Sequence, residues 1–183
     1  NLPMTADADR VAALGERVEA SELRIYASVQ RGGIRKSIAG GYTFNSIKPT
    51  VGLTGYWITP YIVHPVMPSL IYAGYTDIYR SLNGGVTWTK ISENLTDNIK
   101  LRALAISPSN DQVIYAAAKN KIWKTTNGGD SWIDISSGIP DLYITYIIVS
   151  ETDPNKLWIT FSAYQSGDKV YYSEDGGETW YNY

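Results

Sequence analysis

The sequence predicts an all-β fold assembled from four copies of a four-stranded antiparallel unit. Three observations lead there. First, an eight-residue phrase recurs: Ser81, Asn83, Gly84, Gly85, Thr87 and Trp88 reappear as Thr125, Asn127, Gly128, Gly129, Ser131 and Trp132, then as Ser173, Asp175, Gly176, Gly177, Thr179 and Trp180. A degraded copy holds Ser37, Gly40, Gly41, Thr43 and Phe44, with Ala39 in place of the Asn or Asp. Second, the copies start at 37, 81, 125 and 173, a spacing that leaves room for four short strands per repeat. Third, the segments between copies are rich in Ile, Tyr, Trp, Val and Thr and alternate with period two, which suits strands rather than a helical solenoid. A repeat of about 40–50 residues with these traits is the signature of a β-propeller blade. Propellers close with about 4–8 blades, so the four present are expected to form an arc of a larger ring.

Each repeat reads as the same succession of elements. A continuously apolar segment comes first: Tyr56 to Val63, Leu101 to Ile106, Tyr143 to Val149 and, more loosely, Val11 to Leu14. Unbroken apolar runs suit a strand covered on both faces, so these are expected to be innermost. Pro65, Pro108 and Pro154 then end the pairing. Ile25-Tyr26-Ala27, Ile71-Tyr72-Ala73, Ile114-Tyr115-Ala116 and Trp158-Ile159-Thr160 supply the second strand. The third is Ile34-Arg35-Lys36, Ile78-Tyr79-Arg80, Ile122-Trp123-Lys124 and Val170-Tyr171-Tyr172, running straight into the phrase. The fourth follows it, as in Trp88 to Ile91. Blades are therefore assigned to 23–55, 56–97, 98–140 and 141–183, with 1–22 a terminal extension or a divergent inner strand.

The phrase has the chemistry of a tight reversal. A Ser or Thr hydroxyl and an Asn or Asp side chain can accept backbone N–H bonds, two glycines permit positive φ, and a tryptophan closes on the sheet. This pattern resembles the Asp-box, or bacterial neuraminidase repeat, of sialidases, sortilin-type receptors, xyloglucanase-type glycoside hydrolases and photosystem II assembly propellers. The wording around Ile71 and Ile114 is most similar to the sortilin and xyloglucanase branches. The resemblance implies outer hairpins remote from the ligand axis, so Ser37, Gly41, Phe44, Ser81, Asn83, Gly85, Trp88, Thr125, Asn127, Gly129, Trp132, Ser173, Asp175, Gly177 and Trp180 are expected to be structural. Ala39 and Phe44 depart from the pattern and lose the acceptor and the indole.

Composition narrows the chemistry. The 16 basic and 18 acidic residues give a net charge of -2 without a block of one sign, which argues against nucleic acid and anionic membranes as partners. No apolar run approaches the roughly 20 residues that span a bilayer. With no cysteine and one histidine, thiol chemistry and cysteine-ligated metals are excluded and no cofactor is expected. His64, ahead of Pro65, reads as a loop residue. The carboxylates Asp77, Asp111, Asp141 and Asp153 sit in turns, where a solvated role outweighs the acid or base role of a glycosidase pair. No arginine stands in the Arg-Ile-Pro context that the sialidases would imply. Lys36, Arg80 and Lys124 precede three of the phrases at a position expected to face solvent, and the Asn94-Leu95-Thr96 sequon is expected to be incidental.

The aromatic content, 6 Trp and 15 Tyr against 2 Phe, is the remaining signal. Trp57, Tyr61, Tyr143 and Tyr146 lack repeat equivalents and lie on or near inner strands, so they are the candidate ligand surface. The expected function is a non-catalytic interaction or adhesion module that binds protein or glycan in an extracellular or cell-surface, bacterial setting. The alternative is a fragment of a xyloglucanase-like hydrolase whose carboxylates lie partly elsewhere. Further blades, from additional sequence or another chain, are expected to complete the ring.

Overall fold

A computed structural model describes residues 24–49, 52–162, 164, 167 and 169–183. The expected strand at Val11 to Leu14 lies outside these residues. Blade 1 pairs β1 (Ile25–Val29), β2 (Gly33–Ser37) and β3 (Asn45–Ser46). Blade 2 contains β4 (Tyr61–Val63), β5 (Ile71–Gly74), β6 (Ile78–Ser81) and β7 (Thr89–Lys90). Blade 3 contains β8 (Ala103–Ile106), β9 (Ile114–Ala118), β10 (Lys121–Thr125) and β11 (Ile133–Asp134). Blade 4 contains β12 (Tyr143–Val149), β13 (Leu157–Ser162), β14 (Val170–Ser173) and β15 (Tyr181–Asn182). Each sheet is an antiparallel meander in chain order. Among the described residues the only helical turn is the short 3-10 segment Gln30–Gly32.

The core lies between blades rather than within them. Ile34 of blade 1 meets Ala73 and Tyr75 of blade 2; Tyr72 and Ile78 meet Ile114 and Trp123 of blade 3; Tyr115 and Ile122 meet Ile144, Leu157 and Ile159 of blade 4. Each such buried aliphatic contributes about 1.5–3 kcal/mol, so a blade is stable only with a neighbour on it. No cluster among the described residues joins blade 4 to blade 1, and the sheets form an arc of a β-propeller.

In blades 2 and 3 the strand covered on both faces is the second of the sheet, not the first. β5 and β9 are buried at every position, whereas β12 alternates with Tyr143, Tyr146 and Ile148 exposed. The second strand has strands on both edges and, in the inner blades, sheets on both faces; the first strand has a free edge. The run from Tyr56 also begins pairing only at Tyr61. Before it, Gly55 N–H donates to Arg31 O and Arg31 N–H to Trp57 O, tying this lead-in to blade 1.

The repeated hairpin is a closed hydrogen-bond unit. Ser81 Oγ accepts from Gly85 N–H at 2.8 Å and donates to Asn83 Oδ1, which accepts Thr87 N–H at 2.9 Å. Thr125 with Asn127, and Ser173 with Asp175, repeat it. Bonds from Thr179 hold the Asp175 carboxyl well below the usual carboxylate range. In the first copy Ser37 Oγ still accepts from Gly41 N–H at 3.0 Å, and Ala39 leaves the second half unmade.

These hairpins also join one blade to the next. Trp88, Trp132 and Trp180 donate their indole N–H to the carbonyls of Ile47, Ile91 and Ile135 in the preceding blade, at 2.8, 2.9 and 2.9 Å. The basic residues expected to face solvent do the reverse. Lys36 Nζ reaches Gly84 O of the following blade at 3.4 Å and Arg80 Nη1 reaches Gly128 O at 3.2 Å. Lys124, 8% exposed, donates to Asn155 Oδ1 at 3.1 Å, and burial pushes its pKa down. The neighbouring blade, which strand periodicity within one repeat does not reveal, converts a nominally exposed position into a seam.

Candidate functional site

The polar side chains singled out in the sequence separate into turn fixtures and one groove. His64 is buried, and its Nδ1 accepts from Val66 and Met67 N–H at 3.2 and 3.0 Å. Ser150 Oγ makes the same contacts to Thr152 and Asp153 in blade 4, so His64 is a turn cap. Asp77 accepts from Ser92 Oγ at 2.9 Å, Asp111 from Gln112 Nε2 at 3.0 Å and Asp153 from Asn155 N–H at 2.9 Å, while Asp141 is bonded to Asn120. The sequon's Thr96 buries its hydroxyl against Thr76 O at 2.8 Å.

The groove opens where the first strands of blades 2, 3 and 4 converge. It has two lobes that share Tyr56 and Arg102. One, of about 390 Å³, is lined by Tyr61, Leu104, Thr145 and Tyr146 among others. The second, of about 420 Å³, is lined by Asn98, Ile99, Lys100, Lys119 and Tyr143. Thus the structure brings Tyr61, Tyr143 and Tyr146 to one groove. Trp57 does not line either lobe; its ring stands 5.8 Å from the Arg31 guanidinium.

Local irregularity builds this surface. The pairing of β12 with β13 slips between Ile144 and Tyr146, leaving Thr145 as an extra residue fixed by its Oγ1 to Thr160 Oγ1 at 2.7 Å. Without that bulge Tyr143 and Tyr146 would fall on opposite faces; with it both are exposed together. Arg102 stands between the lobes, its guanidinium carbon 4.9 Å from the Tyr56 ring centre and 5.4 Å from that of Tyr143. Burial pushes the Tyr61 phenol up, keeping it a neutral donor and acceptor. Lys119 and Asn98 border the second lobe with φ of 52° and 64°. A non-glycine residue held there costs about 1–2 kcal/mol, and such strain gathers at functional sites.

Sequence reading passed over Arg102, Lys100 and Lys119. The available signal was a charged residue inside the apolar run Leu101 to Ile106. A larger groove of about 520 Å³ runs along the outer edge between blades 2 and 3. Three of its polar groups are already used: Arg80 by Gly128 O, Lys90 by Glu93 and Trp132 by Ile91 O.

Groups that could hold a metal ion, three or more acidic, histidine or cysteine side chains together, do not occur among the described residues. Nor do these residues include a helix long and apolar enough to cross a membrane.

Solved structures similar to this chain include propellers of glycoside hydrolase family 74. The GH74 xyloglucanase from Xanthomonas campestris superposes with a TM-score of 0.71 over 90% of this chain and 29% of its own length, at 19% identity. An ancestral GH74 enzyme gives 0.67 over 87% and 22%, at 20% identity. GH74 from Niastella koreensis gives 0.56 over 87% and 36%, at 18% identity. The chain therefore spans about a third or less of these relatives, and the likeness establishes the fold. No curated protein sequence matches it significantly. Residues 76–183, which contain the three intact hairpins, the seams between them and most of the groove, match the family described as Sortilin-Vps10 (sortilin, neurotensin receptor 3). With more than half of its length in that match and the blade architecture to support it, the chain belongs to the sortilin family.

Proposed function

We propose that this chain is a non-catalytic, ligand-binding segment of an extracellular or cell-surface propeller, and that it takes a protein or glycan ligand in the inner groove. The observation behind this reading is the groove's lining: tyrosines and three cations, without a carboxylate in either lobe. A glycosidase of the two-carboxylate type needs an acid and a base or nucleophile facing one another across the bond. The carboxylates considered above are instead engaged in turns. The reading includes a ring completed by further blades, from additional sequence or another chain. The face of blade 4 that corresponds to the covered faces of blades 1 to 3 exposes Tyr181 and Tyr183.

Binding of glycan arrays and candidate protein ligands is expected to fall at least about tenfold in Tyr146→Ala, with unfolding unchanged, because a stacked ring contributes on the order of 1–2 kcal/mol. Hydrolysis of xyloglucan, β-glucans and sialosides is expected to stay at the blank rate. Turnover abolished by a single Asp→Ala substitution would replace this reading with that of a hydrolase fragment.

A further inference from the structure

The second lobe of the groove gathers positive charge. Lys100, Arg102 and Lys119 line it, and among the described residues none of the three pairs with a carboxylate. On the outer surface the arrangement differs: Lys90, Lys121 and Lys156 face Glu93, Asp134 and Glu174 at 2.5, 3.4 and 2.9 Å. In a chain of net charge -2 this is a local inversion, and a concave site concentrates such a field. The Arg102 guanidinium lies over the Tyr56 and Tyr143 rings, contacts that use none of its N–H donors as hydrogen bonds to oxygen, and the fork of those donors matches a carboxylate.

The form of the ligand follows from the shape and the free donors. Two open lobes joined at Arg102 suit an extended polymer better than a small molecule. At the second lobe some backbone groups are used within the protein, Ile144 N–H donating to Lys119 O at 2.7 Å and Arg102 N–H to Ala117 O at 2.8 Å. The lobes present side chains, chiefly the exposed rings of Tyr143 and Tyr146, which offer a sugar flat apolar faces with a polar tip.

We propose, building on the binding role of the groove, that its ligand is a polysaccharide bearing carboxylates, a polyuronate. Arg102 takes one sugar carboxylate, Lys100 and Lys119 serve its neighbours, and Tyr143 and Tyr146 stack on the rings. The left-handed backbone of Lys119 belongs to the same design. It is one of the two turn residues between β9 and β10, a place where glycine is favoured, and its charge is held there against that preference.

Calorimetric titration of the intact chain tests this with an oligogalacturonate, its methyl ester, a neutral xyloglucan oligosaccharide, a sulfated oligosaccharide and poly-glutamate. The oligogalacturonate is expected to bind, more weakly as salt rises from about 50 to about 300 mM, and the methyl ester to bind at least about tenfold less. Arg102→Gln is expected to weaken binding about tenfold or more and Arg102→Lys less. Lys119→Gly is expected to weaken binding several-fold while raising the unfolding midpoint, a pairing that a merely structural lysine would not give. Equal binding of the methyl ester or the neutral oligomer, with Arg102→Gln silent, overturns the polyuronate but leaves the groove's binding role intact if Tyr146→Ala still abolishes it. Preference for poly-glutamate or for the sulfated sugar overturns the ligand class. Silence with every probe overturns the proposal, and hydrolysis of any of them overturns the binding role as well.

Discussion

Gly128 and Gly129 are adjacent, both left-handed at φ of 69° and 103°, yet alanine is expected to be far costlier at the second. At Gly128 a Cβ would stand 2.8 Å from Gln112 Oε1 and 3.4 Å from Arg80 Nη1, the ends of flexible side chains that can withdraw. The cost is then the backbone term alone, about 1–2 kcal/mol. At Gly129 the new carbon would lie 2.8 and 2.9 Å from Ile91 Cδ1 and Cβ and 3.1 Å from Ile91 O. Ile91 belongs to the preceding blade and is buried, so neither side chain nor backbone has room to retreat. Overpacking adds about 1–3 kcal/mol, for about 2–5 kcal/mol in all. Gly41 is the control. It holds the same box position with φ of 94°, but its Cβ would meet only Ile25 Cδ1 at 3.3 Å. Gly41→Ala should therefore resemble Gly128→Ala. Urea unfolding of the three variants, read as free energies at constant slope, decides the matter. If Gly41→Ala costs as much as Gly129→Ala, the close approach between blades is not what selects glycine.

Trp132→Phe removes the donor to Ile91 O and is expected to cost about 1–3 kcal/mol in the same unfolding assay, since the carbonyl loses its partner. Asp175→Asn is expected to be tolerated at neutral pH, because Asn83 and Asn127 already fill that position, but to change the acid limb. A carboxyl depressed in the folded state stabilises above its unfolded value near 3.8, and that contribution disappears as pH falls below it. Unfolding measured from pH 5 down to about 2 should be flatter in the variant; an unchanged slope would show that Asp175 contributes no linkage.

The blades were legible because each Asn-Gly-Gly or Asp-Gly-Gly reversal and each alternating strand is a local event repeated at fixed spacing. What lay between blades was not. Nothing near Lys124 in sequence announces Asn155, and nothing near Trp180 announces Ile135 O; both partners come from a different repeat. The inner strand misled for a related reason: Tyr143 to Val149 is continuously apolar by residue type, but the Thr145 bulge turns its two tyrosines out to solvent. Aromatic residues without repeat equivalents did point towards the groove at Tyr61, Tyr143 and Tyr146. Arg102 escaped notice because its partners, Tyr56 and Tyr143, arrive from two other blades.

The seams also have a direction. Indole donors always point back along the chain and basic side chains always point forward, so the two sides of a blade are chemically unlike, one built to receive what the other offers. A further blade that repeats these contacts docks nose to tail, its indole N–H and glycine carbonyl meeting the isoleucine carbonyl and basic side chain of the blade before it, with the same polarity at every junction, as cars are coupled in a train.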